Sequence, residues 1–175
     1  MNRKPKTIRL RRKREGKTNY KKRLKLLLSG KPRLVVRPSV KGMTTQIISA
    51  ERIGDKIIAG AHSNELKKLG WKYNTGNTPS AYLTGLLAGK KAIKKGIKEA
   101  ILDIGLKKPV KGGRIFACLK GAVDAGLNIP FSETILPSEE RIKGDHMIKY
   151  AETKKIDLKD LSTSFENIKN KILKE

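Results

Sequence analysis

Between Arg9 and Lys25 ten of seventeen residues are Lys or Arg, broken by one glycine, one tyrosine and two leucines. This block sets the first limit on the fold. It has too little apolar surface to form a core, and its like charges repel one another unless a polyanion lies alongside. Any core must therefore come from the residues that follow, and the block reads as an arm that something else orders.

The rest of the charge is distributed unevenly. Residues 1–33 hold fifteen Lys and Arg against Glu15 alone, residues 34–135 hold seventeen basic against seven acidic groups, and residues 136–175 hold nine against eight. The first fifth of the chain thus carries more than half of the net +25, which points to a polyanionic partner, most commonly nucleic acid. The nearly neutral last quarter calls for a different role. The length of 175 residues suits one core with extensions, divided here into a basic arm (1–30), a core domain (31–135) and a helical C-terminal extension (136–175).

Cys118 is the only cysteine, so neither an internal disulfide nor a thiolate zinc site can be built, and a reducing compartment is expected. The N-terminus lacks a signal-peptide core, and no run approaches the roughly 18 apolar residues of a membrane helix. The basic start is read as mature protein, not a removable transit peptide.

Beyond the arm, Leu24–Leu28 predicts a short helix stopped by Ser29-Gly30-Lys31-Pro32. The period then changes. Residues 33–37, 44–49 and 56–63 are rich in β-branched residues and joined by short connections, as in an antiparallel meander. Asn77-Thr78-Pro79 opens an amphipathic helix with Thr78 as the expected cap, ending near Gly96. Residues 101–104 read as a fourth strand, and Gly112-Gly113 opens a second helix. A short helix spans 138–150 with Gly144 inside it, and Thr163 with Glu166 reads as a capping box before Phe165, Ile168 and Ile172. The order β-β-β-α-β-α predicts an α/β fold: a mixed sheet with helices mainly on one face, the other free for a ligand.

Catalytic readings are weak. Gly85 to Lys91 resembles a phosphate loop, but three residues separate its glycines instead of four, and Lys91 stands where Ser or Thr would bind magnesium. The expected use of these glycines is close packing on a sheet. His62 and His146, the only histidines, lack nearby ligands; Glu65, Asp103 and Asp124 would have to converge to make a two-metal nuclease, and no spacing fixes that. Trp71 reads as a core anchor, with an RNA contact as the alternative.

Four blocks carry a family resemblance: Arg11 to Tyr20, Lys31 to Arg37, Asn77 to Gly89, and Phe116 to Leu127, with Glu140 to His146 extending it. In their order and spacing the chain resembles the universal family of large-subunit ribosomal proteins that bind 5S ribosomal RNA, the eighteenth in that subunit's naming, in its archaeal form. The resemblance implies no enzymatic activity and no cofactor. It implies a cytoplasmic ribosomal protein that holds 5S rRNA in the central protuberance, touching 23S rRNA and neighbouring proteins, with no membrane contact and no homo-oligomer. Asn19 stands where the family is expected to carry Asp, and Pro38 follows Arg37 where another residue is usual.

The candidate RNA-binding residues are Arg9, Arg11, Arg12, Lys13, Arg14, Lys17, Thr18, Tyr20, Lys21, Lys22, Arg23, Arg37 and Lys41. Basic side chains would neutralise phosphates, Tyr20 would offer a stacking plane, and Gly16, Thr18 and Asn19 would let the backbone approach a folded RNA closely. The alternative outside the ribosome is a general RNA-binding protein or RNA chaperone.

Overall fold

Strand pairing organises the centre of the chain. In the computed structural model, which describes residues 7–154, 158 and 160–174, the strands β1 (Arg33–Pro38), β2 (Met43–Ala50) and β3 (Asp55–His62) form an antiparallel meander. Strand β4 (Ile101–Asp103) joins β1 in parallel, giving the order β3-β2-β1-β4. Successive side chains of a strand point to opposite faces, so Leu34 and Val36 of β1 share one face with Ile47 and Ala59, all buried. Arg33, Val35 and Arg37 take the other.

Helix α4 (Thr78–Lys94) covers the first face with α5 (Arg114–Asp124). Its cap is Asn77, whose Oδ1 accepts from the Ser80 amide at 2.9 Å; Thr78, the expected cap, is the first helical residue instead. From Thr78 to Gly89 every residue of α4 is buried, because sheet, α5 and the C-terminal helix enclose it.

The glycines read as packing on the sheet face the neighbouring helix. A Cβ on Gly85 would run into the Cys118 carbonyl, and one on Gly121 into the Tyr82 carbonyl, so the two backbones touch where α4 and α5 meet. Cys118 is buried, within 3.0 Å of the Thr45 hydroxyl, and burial pushes its thiol pKa up to about 12.

The predicted helix over 138–150 is two helices, α6 (Glu139–Lys143) and α7 (Asp145–Thr153), divided at Gly144 with φ 98°. The last helix, α8 (Leu161–Lys174), begins two residues before the expected capping box, and Glu166 pairs with Lys143 at 3.3 Å instead of capping. Its Leu161, Phe165, Ile168 and Ile172 are buried, and the Phe165 ring packs 5.5 Å from that of Tyr82. The extension therefore completes the chain's own core. Trp71 is buried as a core anchor, its indole donating to the Asn74 carbonyl.

Strand β3 lies at an edge of the sheet, bound by α4. The Lys91 ammonium donates to the Gly60 carbonyl at 3.2 Å and meets Glu65 of the one-turn helix α3 (Glu65–Lys68) at 2.5 Å, and the Lys95 ammonium donates to the Ile58 carbonyl.

Candidate nucleic-acid interface

The sheet face that α4 and α5 leave is not bare. The arm folds into a single turn, α1 (Arg11–Arg14), and a second helix, α2 (Tyr20–Leu27), lying across a groove of about 960 Å³ from the sheet. Local signals explain α2: the Asn19 side chain accepts from the Lys22 amide at 3.1 Å, and Leu26 and Leu27 become half-buried. Between the helices Gly16 adopts φ 64°, a turn conformation that glycine takes without strain. Arg12 Nε donates to the Thr18 hydroxyl at 2.9 Å across the turn, and Glu15 pairs with Arg11 and Lys17.

An arginine–aspartate chain forms the floor of the groove. Arg23 from α2 grips Asp55 with both terminal nitrogens at 2.8 Å, a fork-to-fork pair. The same carboxylate accepts from Arg33 Nη2 at 2.8 Å, and Arg33 Nη1 reaches Asp103 at 2.9 Å. Asp103 in turn accepts from Arg37 at 3.1 Å. The chain runs Arg23, Asp55, Arg33, Asp103, Arg37, so three positive charges share two negative ones.

Burial grades along it. The Arg33 and Asp103 side chains are 3% and 8% exposed, whereas Asp55 is 28% and Arg37 is 42% exposed. Arg33 Nε is buried without a partner, so this guanidinium depends on its two aspartates. The hydrogen bonds from Arg23 outweigh desolvation and hold the Asp55 carboxyl below the usual carboxylate range; the same contact raises Arg23.

Eight Lys or Arg line the groove against these two aspartates, leaving it strongly positive. Of the candidate residues, Arg12, Lys17, Thr18, Tyr20, Lys22, Arg23 and Arg37 line it. Arg9, Arg11, Lys13, Arg14 and Lys21 are exposed on the arm outside it, and Lys41 is exposed on the turn between β1 and β2. Sequence reasoning missed Lys25, Arg33, Asp55, Asp103 and Lys107 as groove residues. Lys25 belongs to the charged block and Arg33 to a recognised strand, but nothing local marks Asp55 or Lys107.

The catalytic candidates stand apart. Glu65 pairs with Lys91, Asp103 with Arg33 and Arg37, and Asp124 with the Tyr82 hydroxyl at 2.8 Å. Burial, then the hydrogen bond to Asp124, raises the Tyr82 phenol above its usual pKa. Among the described residues no three His, Cys, Asp or Glu gather as metal ligands, and no helix is long and apolar enough to cross a membrane. Gly85 to Lys91 lies within α4, where no phosphate loop can form.

A mixed sheet with helices on one face and a cationic groove on the other defines a polyanion-binding α/β protein. The sequence comparisons sharpen the class. A family described as ribosomal large subunit proteins 60S L5 and 50S L18 matches residues 4–100 and 93–132. The large ribosomal subunit protein uL18 of Thermofilum pendens is 58% identical over 81% of this chain and 72% of the relative. The proteins of the same name from Aeropyrum pernix and Methanothermobacter thermautotrophicus are 56% and 53% identical, over 83% and 82% of this chain and 69% and 74% of theirs. The chain belongs to this family of large-subunit ribosomal proteins, in its archaeal form. It is a structural, non-enzymatic constituent of the large subunit in the cytoplasm, and it associates with ribosomal RNA and other ribosomal proteins.

Proposed function

We propose that this chain binds 5S rRNA and helps attach it to 23S rRNA in the central protuberance, beside neighbouring large-subunit proteins. The observation that supports the reading is the groove: a positive cleft between the basic arm and the face of the sheet that α4 and α5 leave, with Tyr20 half-buried on its wall. Arg9, Arg11, Arg12, Lys13, Arg14, Lys17, Lys21, Lys22, Arg37 and Lys41 would meet phosphates, Arg23 would lie along the RNA while held by Asp55, and Thr18 and Tyr20 would add shape and stacking. The division into arm (1–30), core (31–135) and extension (136–175) belongs to the same proposal: the arm carries the RNA contact, the core holds it, and the extension seals the core.

Competition tests the reading. Labelled 5S rRNA bound to the protein should resist displacement by bulk tRNA, whereas a general RNA chaperone would exchange one for the other. With an assumed six to ten phosphate contacts, affinity should drop about 10³- to 10⁵-fold between 50 and 200 mM salt. A complex indifferent to salt would reject the mechanism.

A further inference from the structure

A chain of net charge +25 that binds a polyanion has an electrostatic reason to avoid acids on its binding face. Two aspartates nevertheless sit in the floor of the groove. Asp103 neutralises Arg33, a need the buried sheet already explains. Asp55 is different: it lies at the start of β3 and is the acid that joins the arm to the domain, 32 residues from Arg23 in sequence.

We propose that Asp55 is a positioning residue of the RNA interface, sharing its carboxylate between Arg23 of the arm and Arg33 of the sheet to hold α2 in the pose that RNA meets. The inference rests on the reading that RNA occupies this groove. Both terminal nitrogens of Arg23 are committed to Asp55, so this arginine acts through the tether. The fork-to-fork geometry fixes direction as well as distance, which one lysine contact would not do. Its sharing with Arg33, itself bonded to Asp103, continues the tether into β1 and β4. An arm held this way has lost part of its conformational freedom before RNA arrives, and the cost of ordering it falls on folding instead of binding.

The sign of one substitution decides the matter. Removing a negative charge from a polyanion-binding face should tighten RNA binding if charge alone acts. If Asp55 positions the arm, Asp55→Asn should bind 5S rRNA about tenfold more weakly at fixed salt, through the lost preorganisation. Equal or tighter binding overturns the proposal. In an Arg23→Gln background Asp55→Asn should add no further loss, since the aspartate acts through that arginine; a full additive loss also overturns it.

Limited trypsin digestion of the RNA-free protein supplies a second readout. Cleavage within Lys21–Lys25 should quicken in Asp55→Asn while the circular dichroism of the domain is retained, and wild-type protection of the arm in that variant rejects the tether. If Asp55→Asn fails to fold, Arg23→Gln carries the digestion test with the Arg33–Asp55–Asp103 contacts left in place, and undiminished arm protection is again fatal. Should wild-type protein prefer 5S rRNA no more than tRNA, the proposed function fails on its own. Digestion and the sign of the Asp55→Asn effect on tRNA binding then still decide the tether.

Discussion

The two faces of the sheet are held by opposite means. On the helix side, α4 and α5 meet backbone to backbone at Gly85 and Gly121, and α8 presses Phe165 against Tyr82. On the groove side, α2 meets the sheet through Arg23, Asp55 and Arg33, with half-buried leucines beside them. The contrast assigns tasks. Close apolar contact gives stability that salt does not screen, whereas ion pairs beside a wet groove give orientation with a smaller stabilising contribution.

Truncation on the dry side should have the largest effect. Phe165→Ala should lower unfolding free energy by about 3–5 kcal/mol in urea titrations, because the buried ring leaves a cavity. A loss below 1 kcal/mol would mean that α8 is not part of the core. Asp103→Ala should cost about 3 kcal/mol by the same measurement, since it strips a partner from the buried Arg33 guanidinium. That result would show the contrast to be one of exposure, with the deepest ion pair behaving like core. Gly121→Ala should cost about 1–3 kcal/mol through overpacking against the Tyr82 carbonyl, leaving the salt dependence of RNA binding unchanged.

On the wet side the expectation reverses. Replacing Arg11, Arg12 and Arg14 together by Ala should change stability by less than about 0.5 kcal/mol, these side chains being exposed. It should also reduce the slope of log affinity against log salt by about 2–3, the share of three phosphate contacts. Global unfolding by circular dichroism would place the arm in the core and erase the comparison.

The smallest effect concerns protons. The folded Asp55 carboxyl lies below its ordinary value of 3.8, so its stabilising contribution is complete above that value and is lost as pH falls through the lower folded one. An NMR titration of this carboxyl should show a midpoint below 3.8, returning toward it in Arg23→Gln.

The dry side was the more legible in sequence. The β-branched content of 33–37 and 44–49 and the Asn77-Thr78-Pro79 start are local signals, and the structure forms its strands and long helix close to them. The errors arose where a residue's partner is distant. Glu166 looked like half of a capping box, but Lys143 competes for its carboxylate. The glycines of α4 announce close packing, expected on the sheet, but the partner at Gly85 is α5, which reaches it only through the fold. The sequence predicts an arm that cannot order itself without a polyanion. That holds for residues 9–25 alone, yet Asp55 supplies a counter-charge from the chain itself, and no local pattern joins positions 23 and 55.

The lysines on β3 bear on the time before assembly. A ribosomal protein is made apart from its RNA, and an edge strand with open carbonyls invites a second copy to add its own strand. Here a newcomer would have to dislodge the ammonium groups of Lys91 and Lys95 from the carbonyls of Gly60 and Ile58, while the opposite edge, β4, offers only three residues. The helix that builds the core thereby also covers the sheet's flank, where strand addition would first have to break both lysine contacts.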